Sequence, residues 1–285
     1  MKKIIIVTGA SSGMGVSFAS QLAQESADFS KSYDPRTKDL ASDEIWIVAR
    51  RSDRLEETKR RIESEAEKNG GQYPTVRCVP LDISGKNGAN ELKNLLDAEN
   101  SKADGGIRIN VLVNNAGFGT YGEFADTDTN REMEMVDLDC TSLTGITGFS
   151  LPYMGRGGRI INTASLASFM PLGNFAVYGA CKAYVLSFSV AIAAELKPKG
   201  ISVTALCPGP VSTEFANVAS RGARPKVRHG KDPEKTVEHC IKKSRKGKLY
   251  SMWAFKWKFK AAASRFIGRY AGAWFTFKYC KRPSN

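Results

Sequence analysis

The run Ile4-Ile5-Ile6-Val7-Thr8, followed by Gly9-Ala10-Ser11-Ser12-Gly13-Met14-Gly15, constrains the fold more than any other stretch of the chain. An unbroken series of β-branched residues suits a strand buried on both faces, as in a parallel sheet. The glycines mark a tight turn, and Val16 to Gln24 reads as an amphipathic helix. In such a strand–turn–helix unit, glycines let the backbone approach a pyrophosphate closely. The helix start adds N–H groups and a positive dipole end. The spacing is Gly-x-x-x-Gly-x-Gly rather than Gly-x-Gly-x-x-Gly. A turn that only reverses the chain is the plainer alternative, but strand, turn and helix stand in the order a nucleotide site needs. Gly9, Ser11, Ser12, Gly13, Met14 and Gly15 are therefore candidate cofactor contacts.

The alternation continues along the chain. Strands are expected at 44–48, 75–81, 109–113, 158–163, 201–206 and 247–252, and helices at 13–27, 54–68, 89–99, 130–149 and 174–197. The polar connection 28–43 is longer than usual and reads as a surface insertion without an assigned role. Alternating strands and helices predict an α/β fold: a Rossmann-type, doubly wound parallel sheet of about seven strands in a single domain. At 285 residues the chain is long enough for one such core. Residues 1–220 are assigned to the dinucleotide-binding and catalytic part. Residues 221–285 are assigned to a lid, the last strand and a C-terminal extension of the same domain. Ligands of such sheets bind at the carboxyl ends of the strands, where the glycine turn, Asp82, Asn114, Ser165 and Pro208 all fall.

Tyr178 and Lys182 are four apart on the predicted 174–197 helix, so they share one face. An ammonium beside a phenol favours the phenolate and lowers the phenol's pKa from about 10 toward neutrality, which makes the tyrosine a usable acid and base. Ser165 lies thirteen residues upstream. Cys181, between the pair, is expected to turn off that face and is given no chemistry. The six cysteines are scattered without Cys-x-x-Cys pairs and read as reduced thiols. With only His229 and His239 to assist them, no metal site is expected.

Thr8-Gly-Ala-Ser-Ser-Gly-Met-Gly15, Asn114-Asn-Ala-Gly117, Ser165, Tyr178-x-x-x-Lys182 and Pro208-Gly-Pro-Val-Ser-Thr213 stand in an order and spacing that resembles the short-chain dehydrogenase/reductase family. The resemblance covers roughly residues 3 to 215. It implies hydride transfer between a nicotinamide cofactor and a carbonyl or alcohol. Tyr178 would be the acid/base, Ser165 the donor to the substrate oxygen, and Lys182 the group that lowers the Tyr178 pKa and binds the nicotinamide ribose. It also implies that Asp82 and Ile83 meet adenine and that Asn115, Ala116 and Gly117 line the cofactor. Asn114 would support the fourth strand, and Pro208, Gly209, Val211 and Thr213 would hold the carboxamide. The family has an Asn where Asp139 stands here. Asp139 could keep that Asn's proton relay through its backbone carbonyl, or bring negative charge to Lys182 and raise its pKa. It is kept as a member of the catalytic set.

The second predicted strand ends Val48-Ala49-Arg50-Arg51, without the acid that would bind a ribose 2′-hydroxyl. NADP(H) is therefore expected over NAD(H), with Arg50 as the main contact and Arg51 second. Phe118, Tyr121, Leu166, Phe169, Met170, Phe175, Val177 and Phe215 are candidate substrate walls, several of them plain core. No charged residue in these segments marks a charged substrate, so hydrophobic ketones and alcohols of hydroxysteroid, retinoid or 3-oxoacyl type are expected. The segment after Phe215 reads as a lid. The competing reading is a non-catalytic NADP(H)-binding sensor or scaffold. The resemblance further implies a homodimer or homotetramer formed through the 130–149 and 174–197 helices.

Charge is distributed unevenly. Residues 221–285 hold 19 Lys/Arg against 3 Asp/Glu, net +16, whereas residues 1–220 are net −3. Three of the four tryptophans lie in that last segment, and Trp253 to Lys260 interleaves rings with lysines. Three readings stay open: contact of 248–285 with an anionic membrane surface, a packed extension, or nucleic-acid binding, for which no recognised motif appears. The 253–259 stretch has a strand period, while 260–267 reads as helix. No uninterrupted apolar run reaches membrane-spanning length and no secretory signal is recognised, so a cytoplasmic protein is expected, with peripheral contact at a membrane surface as one of those three readings.

Overall fold

The computed structural model describes residues 1–224, 227 and 229–284. Seven strands form one sheet: β1 (Lys2–Thr8), β2 (Glu44–Ala49), β3 (Thr75–Pro80), β4 (Ile107–Asn114), β5 (Arg159–Thr163), β6 (Ser202–Leu206) and β7 (Tyr250–Ser251). Their order is β3-β2-β1-β4-β5-β6-β7, with every pairing parallel. The order reverses between β1 and β4, where doubly wound sheets leave a crevice at the strands' carboxyl ends.

Helices α1 (Gly13–Ser30), α2 (Pro35–Lys38), α3 (Ser52–Asn69), α4 (Gly85–Lys102), α5 (Thr129–Val136), α6 (Leu143–Ser150), α7 (Ala176–Leu196), α8 (Phe215–Ala219), α9 (Pro233–Arg245), α10 (Phe255–Ala263) and α11 (Arg269–Tyr279) complete the chain. The period-2 geometry of β1 explains its composition. Ile5 and Val7 enter a core with Phe18 and Leu22 of α1, Leu55 of α3 and Val237 of α9. Ile4 and Ile6 enter the opposite core with Leu92 of α4, Ile146 of α6 and Leu196 of α7. Both faces are covered over Ile4 to Val7, so that stretch is apolar without alternation.

The 28–43 connection has a structural role that the sequence did not suggest. Asp39 pairs with Lys3 at 2.6 Å and Arg108 at 3.0 Å. Asn110 Nδ2 donates to the Leu40 and Ala41 carbonyls at 3.1 and 3.2 Å. The insertion thus clamps β1 and β4 near their amino ends, the sheet edge opposite the crevice. The predicted 130–149 helix is α5 and α6 joined by a π-helical turn, Asp137–Ser142. α7 is long enough and on average apolar enough to cross a membrane, although Lys182 and its serines leave no uninterrupted apolar run. It is instead the core helix that carries Tyr178 and Lys182 and buries Val185, Ser189, Ile192 and Leu196.

Between Trp253 and Phe259 the helix prevails over the strand period. β7 is two residues long, and after it α10 turns back over the β6 end. There Trp257 packs so closely that a Cβ on Gly209 would stand 2.4 Å from its ring. α11 docks beside it. Thr276 Oγ1 accepts from Gly173 N–H at 2.9 Å, and Asn174 Nδ2 donates to the Phe277 carbonyl at 2.9 Å.

Candidate active site

The crevice is a cleft of about 1370 Å³ along the carboxyl edge of the sheet. Its first wall is the turn after β1, tied to β2 by Gly9 N–H donating to the Val48 carbonyl at 2.8 Å. Gly9 has φ +67°, and a Cβ there would sit 2.8 Å from Ala116 Cα, so only glycine lets the turns after β1 and β4 meet. On Gly15 a Cβ would stand 1.9 Å from the Gly9 carbonyl oxygen. Thr8 Oγ1 joins the same two turns, accepting from the Asn115 and Ala116 N–H groups at 3.0 and 3.1 Å. Behind them Asn114 Nδ2 donates to Thr147 Oγ1 and Asn162 Oδ1, each at 2.9 Å, and so braces β4 against β5. The backbone cradle at the start of α1 therefore fits a pyrophosphate, as a dinucleotide requires.

Gly9, Ser11, Ser12, Gly13, Met14, Arg50, Arg51, Asp82 and Ile83 line this end of the cleft, together with Asn115, Ala116 and Gly117. Gly15 lies behind the turn. Arg51 Nη2 reaches Ser11 Oγ at 3.3 Å and Glu214 Oε2 at 3.4 Å. Arg50 is more exposed and stands 3.8 Å from Asp82. Desolvation alone would raise the Asp82 carboxyl, but the Ser84 hydroxyl and N–H, with Arg50, hold it below the ordinary carboxylate range. The loop after β6 closes the adjoining wall with Pro208, Gly209, Val211 and Thr213. A Cβ on Gly13, where φ is +52°, would contact the Thr213 methyl at 3.0 Å.

Ser165, Tyr178 and Lys182 meet in the middle of the cleft. Ser165 follows β5 and caps a short 3-10 turn, Leu166–Phe169, its oxygen accepting from Ala167 N–H at 3.1 Å. Its hydroxyl faces the Tyr178 phenol and helps to pull that group's pKa down. Tyr178 sits in the first turn of α7, with Phe175 stacked on its ring at 4.1 Å. Lys182 Nζ lies 5.6 Å from the Tyr178 ring centre and donates to the Thr163 carbonyl at 3.1 Å.

Asp139 Oδ2 pairs with Lys182 Nζ at 2.8 Å, both side chains buried. Its other oxygen accepts from Phe118 N–H at 3.2 Å. The π-helical turn swings Asp139 into this position, and a Cβ on Gly117 would stand 2.6 Å from its Oδ1. Burial alone would lower the lysine's pKa; the Asp139 carboxylate, with the Tyr178 phenol, outweighs it and raises it. The Asp139 side chain thus stands in the ion-pair geometry expected of it, while burial raises its own carboxyl pKa.

The expected lowering of the Tyr178 pKa is not found. Burial raises the phenol above its ordinary value, while Lys182 and the Ser165 hydroxyl pull down without offsetting it. The main reason is desolvation of the buried phenol; the nearby Asp139 carboxylate, paired with Lys182, adds a smaller upward push.

Seven of the eight proposed wall residues line the cleft; Val177 packs instead into the aromatic cluster of Phe175 and Tyr178. The cleft also contains charge, contrary to expectation, because its distal walls come from elements not counted in it. Arg131 of α5, Arg224, Lys260 of α10 and Arg282 all line it. Arg282 lies 5.1 Å over the Phe175 ring and donates to the Gly173 carbonyl at 3.1 Å. Trp257 and Ser264 join them. Ring–lysine alternation drew attention to the Trp257 region, but nothing local to the sequence marked it as a cleft wall. Part of the expected lid, at 225, 226 and 228, lies outside the described residues. At its base Val211 and Lys231 form a parallel bridge.

The family model for short chain dehydrogenases matches residues 3–223. The chain is 30% identical over 227 residues to a sulfoacetaldehyde reductase of Chromohalobacter salexigens, covering 78% of each chain. Among solved structures it is similar to a short-chain dehydrogenase from Sphingobium yanoikuyae in complex with NADPH. The TM-score is 0.71 at 23% identity, over 93% of this chain and 94% of that one. It is also similar to a short chain dehydrogenase/reductase from Burkholderia phymatum in complex with NAD. There the TM-score is 0.73 at 19% identity, over 100% and 97%. The family match spans the glycine turn, the Asn115 loop and the Tyr178–Lys182 helix together, and the chain belongs to the short-chain dehydrogenase family of NAD(P)-dependent oxidoreductases.

Proposed function

We propose that this protein reduces a hydrophobic ketone to its secondary alcohol with NADPH, Tyr178 serving as the proton donor. The observation that carries this reading is the meeting of Ser165, Tyr178 and Lys182 in one cleft wall, continuous with the glycine turn. The bound cofactor supplies the hydride. Arg50 and Arg51 hold its 2′-phosphate, and Thr213 and the Pro208–Gly209 turn hold its nicotinamide end. Phe118, Tyr121 and Phe215 hold the apolar body of the substrate and exclude water. As charge builds on the carbonyl oxygen, the Ser165 hydroxyl donates to it and the Tyr178 phenol delivers the proton. Burial raises the Tyr178 pKa, so the resting phenol carries the proton that reduction delivers.

The test is NADPH consumption by the purified protein across a panel of hydrophobic ketones, with Tyr178→Phe as control. Turnover that survives in the mutant removes Tyr178 from the chemistry. Tight NADPH binding without turnover of any ketone would favour the sensor reading, for which the Asp139–Lys182 pair is the supporting feature.

A further inference from the structure

Among the described residues, nothing covers the outward faces of α10 and α11 and the turn between them. Phe255 is 81% exposed, Phe259 65%, Phe266 91%, Tyr270 80%, Trp274 52% and Phe275 56%. Phe255 and Phe259 are one helical turn apart, as are Tyr270 and Trp274, so each helix shows a stripe of rings to solvent. Single exposed rings need no explanation; this many on two consecutive short helices do. The inner faces are small and fixed: Ala261, Gly272 and Thr276 are the buried positions.

Basic residues run between the rings, and no Asp or Glu follows Glu238 in the sequence. Lys256 and Lys260 lie over the Trp257 ring at 4.4 and 5.4 Å, and Lys278 lies over Tyr279 at 5.4 Å. We propose that this face docks on an anionic lipid bilayer, with the rings in the headgroup and upper acyl region and the lysines on lipid phosphates and carboxylates. Exposed Phe255, Phe259 and Phe266 have no polar edge and suit acyl chains, while Tyr270 and Trp274 suit the headgroup level. Helices of nine and eleven residues are too short to span a bilayer, so they lie in its surface. A second copy of the chain fits poorly, because it would bring an equally cationic face against this one.

Docking also places the cleft. Trp257, Lys260 and Ser264 of the same segment line its wall, so the mouth opens beside the lipid surface. Resting on the proposed ketone reduction, the structure assigns entry of an apolar substrate to the lipid side, without passage through bulk water.

The test is co-sedimentation of the full chain at physiological salt with vesicles of phosphatidylcholine alone or with about one third phosphatidylserine. Binding is expected only to the anionic vesicles and should weaken as salt is raised. Lys258→Gln with Lys278→Gln should lower it roughly thirtyfold. Phe255→Ser with Phe275→Ser should abolish it while leaving reduction of a water-soluble ketone unchanged and slowing reduction of a vesicle-dissolved one. Absence of sedimentation with anionic vesicles overturns the proposal. So does a dimer in light scattering that the Phe pair dissociates, which would make the face a contact between copies. Release of bound protein by single-stranded DNA, in preference to lipid, would likewise overturn it. Sedimentation without reduction of any ketone would sink the reductase reading and leave docking intact; soluble-ketone turnover without sedimentation would do the reverse.

Discussion

At the nucleotide end of the cleft, each wall residue sits in a loop that directly follows a parallel strand: Ser11 after β1, Arg50 after β2, Asp82 after β3, Asn115 after β4. At the substrate end, Trp257, Lys260 and Arg282 come from a tail that leaves the sheet and folds back on it. The first end is held by backbone pairing and glycine close approach. The second is held by a few side-chain contacts on Gly209, Gly173 and Met170. The same cleft thus has one end that tolerates almost no substitution and another that can be remodelled without unpairing a strand.

The strongest way to sharpen that contrast is Tyr178→Phe. It should cut turnover by about a thousandfold while NADPH binding, read by fluorescence titration, stays near wild type. A smaller effect is expected from Gly173→Ala. Its Cβ would stand 2.4 Å from Phe277 Cβ and 2.7 Å from its backbone, so α11 must shift. Overpacking of this kind costs about 1–3 kcal/mol. The substrate KM should rise while the NADPH Kd is unmoved; an equal loss of both would show that the two ends are not separable. Arg51→Ala, at the other end, should weaken NADPH by about tenfold relative to NADH without changing the ketone KM. Unchanged cofactor preference in both Arg51→Ala and Arg50→Ala would remove the phosphate contact.

Asp139→Asn is expected to act least on the rate at neutral pH and most on the pH profile. The folded protein raises the Tyr178 and Lys182 pKa values, and Asp139 contributes to both rises. Reduction needs the phenol protonated, so in wild type it should persist through neutral pH and fall only when pH passes the raised tyrosine pKa. Alcohol oxidation, which needs tyrosinate, should climb with pH. Without the carboxylate both pKa values fall, so both limbs should move to lower pH. Unmoved limbs would mean that Asp139 is ordinary buried structure.

The nucleotide end was legible because its signals are short-range. The Ile4–Gly15 run states strand, turn and helix in twelve residues, and the Tyr178–Lys182 spacing is one helical turn. What stayed hidden depends on distant partners. Asp139 meets Lys182 only because a π-helical turn re-aims it, and the turn has no sequence signature of its own. The Tyr178 shift comes mainly from burial by distant packing, which outweighs the downward pull that the Tyr–Lys spacing predicts from Lys182. Arg282 and Trp257 became walls through long-range packing. The helix at Phe255–Ala263 overrode a period-2 pattern by packing Trp257 against Gly209 and burying Ala261. The clamp made by Asp39 was invisible for the same reason: its partners Lys3 and Arg108 are far away in the chain.

β7 contributes two residues to the sheet, through Ala205↔Tyr250 and Leu206↔Ser251, and there the tail's strand pairing ends. The family match stops earlier still, at residue 223. Everything after Ser251 lies outside the sheet and rests on it through contacts at Gly209, Met170, Gly173 and Asn174. A lineage, or an engineer, could exchange that segment between relatives and inherit a different choice of substrate and of cellular address, while the inherited chemistry of Tyr178 passed through intact.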